Sequence, residues 1–351
     1  MTIRTLLSGL IAITGMLPAA LPAQQSAYRI VTSLTTYASI AREIAGDRAE
    51  VTSIARGDEN PHFVQPRPSY VLDLKKADVF ITTGLDLELW VPTLLDKAGN
   101  TRIREGSPGY VTAYAGIDLL DVPTTVSRSG GDIHAFGNPH LWTDPANGII
   151  IADNIRAALG RVDPGSTADY DRRYADFRHR VLTAYVGADL LQLLGDDAVF
   201  DLARQHTLWD FLAKQQYQGR PLVDRAGGWL QEARSFRGQK MVCYHKEWDY
   251  FSRAFGIPCV DYIEPKPGIP PTPRHVSDVI TLMRDQNIHV LFSTNYYDAN
   301  QVRSVASKTG AVAVMVPSNT EGAADTDTYV ALVTLWVRQL HAAFAAPSAH
   351  P

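Results

Sequence analysis

Short runs rich in apolar and β-branched residues alternate along this chain with stretches of helical periodicity, and the alternation occurs twice. The first round places strands at 28–34, 50–55, 78–83 and 110–115, with helices at 37–44, 69–76 and 87–98 between them. The second places strands at 240–244, 258–263, 289–293 and 311–316, with helices at 247–255, 274–286 and 300–309. Strands separated by helices call for crossover connections and so for parallel sheets. The pattern predicts an α/β chain with two doubly wound parallel-sheet lobes, over residues 24–144 and 239–345.

Between the lobes, residues 145–194 are strongly periodic. Pro145 suits a first helical turn, and Pro164 interrupts the pattern before it resumes. The expectation is a long linking helix that spans both lobes and limits hinge motion. Residues 195–238 hold Trp209, Phe211, Trp229 and a Gly227-Gly228 pair, which read as a folded insertion of unknown role.

The N-terminus reads as an export leader. Arg4 supplies a positive start, and an apolar stretch from Leu6 to Leu21 is broken by Gly9, Gly15 and Pro18. Cleavage is expected near Ala23, leaving a periplasmic protein. No cysteine lies near that point to carry a lipid. A membrane anchor needs about 20 apolar residues without such breaks. The net charge of −4 provides no basic field for nucleic acid.

Export permits a disulfide between the two cysteines, Cys243 and Cys259. Both lie inside apolar strand-like runs, which reads as two buried free thiols. Two cysteines cannot build a Cys₄ zinc site.

Three of the ten histidines stand apart. A lone histidine is more often hydrogen-bonded or exposed than a metal ligand. His62 lies in a loop framed by Pro61 and Pro66 after the second strand, and proline holds such a loop extended. His140 lies in a second proline-framed loop, Asn138-Pro139-His140, just before the linking helix. His245 ends the strand 240–244. Loops at the carboxyl ends of parallel strands are where open α/β sheets bind ligands. Asp144 is expected to cap the following helix or to orient His140.

These segments resemble the zinc/manganese solute-binding proteins of ABC transporters, the ZnuA/TroA-like family. The matching pieces are Asn60-Pro61-His62, Gly84-Leu85-Asp86-Leu87-Glu88-Leu89-Trp90, Pro139-His140-Leu141-Trp142-Thr143-Asp144-Pro145 and Tyr244-His245-Lys246-Glu247-Trp248, with Thr328-Tyr329 near the end. The resemblance implies metal bound in the cleft between two lobes by His62, His140 and His245, with Zn²⁺ favoured over Mn²⁺. It also implies delivery of the metal, by a monomer, to the membrane permease of an ABC importer. Three imidazoles suit Zn²⁺, whereas Mn²⁺ favours oxygen.

Many members carry a late aspartate as fourth ligand. Here the corresponding loop has Asn319, a neutral amide. Glu321 is the weaker fourth candidate, Glu264 a further one, and a water could complete a tetrahedron. His134, in the loop before the second ligand, is read only as an aid to metal loading. The alternative reading is a secreted zinc-dependent hydrolase, with Glu59, Asp144 or Glu247 as base. No His-Glu-x-x-His helix is present to support it.

Overall fold

The computed structural model describes residues 28–124, 134–266 and 268–345. The expected leader and its cleavage point lie outside them. No helix among the described residues is long and apolar enough to cross a membrane.

The first lobe contains β1 (Tyr28–Thr32), α1 (Thr35–Ala45), β2 (Ala49–Ser53), α2 (Pro68–Lys76), β3 (Val79–Thr82), α3 (Val91–Ala98) and β4 (Tyr110–Thr112). The linking region follows as α4 (Pro145–Val162), α5 (Thr167–Val186) and α6 (Ala188–Leu194). Next come α7 (Asp196–Arg204), α8 (Leu208–Lys214), the hairpin strands β5 (Gln216–Tyr217) and β6 (Arg220–Pro221), and α9 (Gly228–Ala233). The second lobe comprises β7 (Met241–Cys243), α10 (Asp249–Phe255), β8 (Cys259–Tyr262), α11 (Pro273–Asp285), β9 (Val290–Thr294), α12 (Ala299–Thr309), β10 (Val312–Val316) and α13 (Tyr329–Ala345).

Both lobes carry a four-stranded parallel sheet, in the orders β2-β1-β3-β4 and β8-β7-β9-β10. Counted from the start of each lobe, the order is the same 2-1-3-4. The chain reverses its winding beside β1 and beside β7, which opens a crevice at the carboxyl edge of each sheet. Strands β3 and β9 are buried along their whole length, as their apolar runs require in a sheet covered on both faces. Helix α1 buries Tyr37, Ile40, Ala41 and Ile44, the i, i+3, i+4, i+7 stripe of a core-facing helix.

Residues 145–194 hold three helices, and the long connecting helix among them is α5. Asp163 and Pro164 end α4, and α5 folds back along it. At 20 residues, α5 is about 30 Å long. It packs against α1 of the first lobe and against α9 and α13 at the second. Gly187 ends it with a φ of 85°, and Gly227 approaches so closely that a Cβ on Gly187 would overlap its backbone. The folded insertion therefore packs on the linker, with Trp229 buried and donating from Nε1 to Thr334 Oγ1 at 2.9 Å.

The lobes are stitched together along α1. Thr35 Oγ1 donates to the Thr320 carbonyl at 2.6 Å, Thr36 Oγ1 to Asn319 Oδ1 at 2.8 Å, and Ser39 Oγ to the Asp327 carbonyl at 3.0 Å. Trp142 Nε1 donates to the Ser318 carbonyl at 2.6 Å. Gly57 meets the backbone of Thr320 and Gly322 with no room for a side chain.

The free-thiol reading of the cysteines is corrected: Cys243 and Cys259 form a disulfide across β7 and β8, with Cα atoms 5.5 Å apart. Adjacent parallel strands bring the two Cα atoms within bridging range.

Candidate metal centre

Four histidines converge between the lobes. One ring nitrogen from each of His62, His134, His140 and His245 lies within 4.8 Å of all the others. The carboxylates of Glu321, Glu264, Asp144 and Glu247 are not part of this group.

His62 stands on a single 3₁₀ turn, Pro61–Phe63, after β2. Asn60 Oδ1 accepts from the His62 backbone N–H at 3.0 Å and contacts its Nδ1 at 2.9 Å. The same tripeptide recurs before α4 with the same geometry. There Asn138 Oδ1 accepts from the His140 backbone N–H at 3.1 Å and contacts its Nδ1 at 2.9 Å.

This fixes the tautomers. A backbone N–H only donates, so the asparagine atom receiving it is the oxygen, and the imidazole Nδ1 beside that oxygen must carry hydrogen. His245 Nδ1 likewise faces an acceptor, the Glu264 main-chain carbonyl, at 2.8 Å. All three histidines therefore present the Nε2 lone pair. The Nε2 atoms of His140 and His245 are buried without a hydrogen-bond partner, as befits donors that await a cation.

His134 enters from the loop before Asn138, and its Nε2 lies 3.3 Å from that of His62. Two ligands held about 2.0–2.1 Å from a tetrahedral Zn²⁺ are themselves about 3.3–3.4 Å apart. The pair already stands at that spacing.

Burial keeps the cluster neutral. It pushes the pKa of His245 and of His134 down to about 4, and holds His62 and His140 well below the usual histidine range. Neighbouring histidines add to the effect for His62 and His140, because a proton on one imidazole disfavours a proton on the next.

Other candidates have different work. Glu321 is substantially exposed and accepts from Arg42 Nη1 at 2.6 Å. Glu264 Oε1 accepts from the Gly268 N–H at 2.8 Å, so Glu264 serves the centre through its carbonyl. Asp144 caps α4 by accepting from the Ala146 N–H at 2.8 Å, and Asn138 takes the orienting role expected of Asp144. Glu247 is buried beneath Thr294 and Tyr296, and desolvation pushes its pKa up to about 8. The Glu59 carboxylate turns back to its own loop, accepting from the Arg56 N–H at 3.3 Å. The fold adds His134 to the three histidines singled out in the sequence. Its signal in the sequence is a histidine six positions before His140, ahead of the proline-framed turn.

The sequence model of the family described as zinc-uptake complex component A, periplasmic, matches residues 30–185 and 223–343. The chain belongs to this family. Like others of this zinc-uptake family it is a binding component of a transporter, not an enzyme, and the hydrolase alternative is set aside.

Two relatives show the range of cargo. The iron-binding protein YfeA of Yersinia pestis is 26% identical over 317 residues, covering 88% of this chain and 84% of that one. The manganese ABC transporter substrate-binding lipoprotein PsaA of Streptococcus pneumoniae is 24% identical over 283 residues, covering 79% and 75%. Among solved structures, the crystal structure of ZnuA superposes with a TM-score of 0.66 at 17% identity, covering 91% of this chain and all of that one. The S38A mutant of the manganese-bound periplasmic metal binding protein from Candidatus Liberibacter asiaticus gives 0.64 at 17% identity, covering 90% and 98%. Both confirm the two-lobed fold. Residues 186–222, the end of the linking stretch and the first part of the insertion, fall outside the family match.

Proposed function

We propose that this periplasmic solute-binding protein captures Zn²⁺ with His62, His134, His140 and His245 and delivers it, as a monomer, to the membrane permease of an ABC importer. The reading rests on one observation: the donor group is four imidazole nitrogens with no carboxylate among them. All-nitrogen donors suit Zn²⁺. Mn²⁺ sits at the weak end of the divalent series and favours oxygen, which makes it the poorer cargo here.

The histidines are neutral before the metal arrives, so binding near neutral pH has no proton to displace from them. The orientation of His62, His140 and His245 is set in advance by Asn60, Asn138 and the Glu264 carbonyl. Ligand orientation of this kind strengthens donor basicity and fixes the ring.

Competitive chelator titration of metal-free protein with Zn²⁺, Mn²⁺ and Fe²⁺ tests the proposal. Zn²⁺ is expected to bind far more tightly than Mn²⁺. Equal or reversed preference would remove the zinc assignment.

A further inference from the structure

Strand β8 lies at the edge of the second sheet, so β7 is its one neighbour there. Yet the segment leaving β8 carries the Glu264 carbonyl that receives His245 Nδ1. The disulfide joins Cys243, two residues before His245, to Cys259, five residues before Glu264. Between the two the pairing slips by one residue. Met241 stands opposite Cys259, but Cys243 stands opposite Tyr262. Beyond the slip, the Ile263 N–H donates to the Cys243 carbonyl at 3.0 Å and the Glu264 N–H to the Tyr244 carbonyl at 2.7 Å.

An edge strand with an irregular register has a competing alignment one residue away. Moving β8 by one residue would carry the Glu264 carbonyl out from under His245. We propose that the Cys243–Cys259 bridge is a positioning element of the metal centre, locking the slipped register so that His245 Nε2 stays aimed at the metal. The inference rests on the reading that His245 is a ligand. The coupling is reciprocal: metal bound through His245 holds the register and so protects the bridge. Opening the bridge takes an external dithiol, which passes two electrons and two protons to the sulfurs, leaves two thiols and becomes a disulfide itself.

The test is a zinc titration of oxidised wild type and of Cys243→Ala/Cys259→Ala, each with and without His245→Ala. Losing an orienting contact to a ligand typically weakens metal affinity about 10- to 100-fold, and the cysteine variant should fall near the lower figure. In the His245→Ala background the cysteine changes should add no further loss, which a purely structural role would not produce. Unchanged affinity in the cysteine variant, or an equal loss in both backgrounds, overturns the proposal. Should the variant not fold, the dithiol concentration that half-reduces wild type is compared with and without Zn²⁺. A higher requirement with zinc supports the coupling, and equal requirements overturn it. Oxidised wild type that binds no zinc removes the functional reading itself, an outcome distinct from zinc binding that is indifferent to the bridge.

Discussion

The Nε2 atoms of His62 and His134 stand 3.3 Å apart, although 72 residues separate the two in the chain. His62 already has its Nδ1 committed to Asn60, so its Nε2 offers a lone pair toward His134. A shared cation makes productive use of that closeness. His134→Ala is expected to weaken zinc binding by at least the 10- to 100-fold typical of losing a supporting contact. Glu321→Ala should leave affinity unchanged, because that carboxylate is engaged with Arg42. Parallel competition titrations check both, and a loss with Glu321→Ala but none with His134→Ala would reverse the assignment.

The repeated Asn-Pro-His turn yields a second expectation. Asn60→Ala and Asn138→Ala each remove the oxygen that holds an imidazole Nδ1, and each should weaken zinc binding about 10- to 100-fold. Asn138→Ala should cost more, since Asn138 Nδ2 also donates to the Lys246 carbonyl at 2.9 Å, next to His245. Equal zinc affinity in wild type and both variants, measured by chelator competition, would sink this account.

Much of this was legible in the chain. Both sheets follow from the alternation of runs, and His62, His140 and His245 stand out as two proline-framed loop residues and a strand end, which the fold brings together. Other features depend on tertiary geometry. The asparagines are ordinary loop residues until the turn brings Oδ1 beside Nδ1. His134 gains its partner only when two distant loops meet. Pro164 announces a break but not that α5 folds back along α4. The disulfide requires β7 and β8 to lie side by side, a pairing that no local pattern records.

The seam between the lobes predicts little domain closure. Gly57 abuts the backbone of Thr320 and Gly322, and α1 donates three side-chain hydrogen bonds across the seam. Gly57→Ala should destabilise the protein by about 1–3 kcal/mol, the usual range for forcing extra volume into a packed site. Thermal unfolding measures this. Small-angle scattering of wild type should give nearly the same radius of gyration with and without Zn²⁺, and a large contraction would contradict the rigid seam.

The cluster also sets the response to pH. Unfolded histidines titrate near 6.5, whereas His245 and His134 in the fold titrate at about 4. As pH falls from 6.5 to about 4, the unfolded chain takes up protons that the folded site refuses, so the histidine contribution to the stability of metal-free protein is lost across that window. For fully buried His245 this amounts to about 3 kcal/mol. Carboxyls raised by desolvation act in the opposite direction. Desolvation pushes Glu247 up to about 8, Asp249 up to about 7 and Asp144 up to about 6, and it raises Glu88 and Glu264 as well. Their contribution is complete at low pH and is lost as pH rises from their unfolded values near 4 through those folded values. Above pH 6.5 the histidines no longer contribute a slope, so metal-free protein should lose stability as pH rises toward 8, and Glu247→Gln should flatten that alkaline loss. Zinc should raise the Tm most near neutrality and progressively less toward pH 4, as protons compete for the same Nε2 lone pairs. Calorimetric Tm values from pH 4 to 9, with and without metal, check every part. Imidazole NMR of metal-free protein separates the two sets of groups, and histidines of the cluster that protonate near pH 6.5 would show that burial does not hold them neutral.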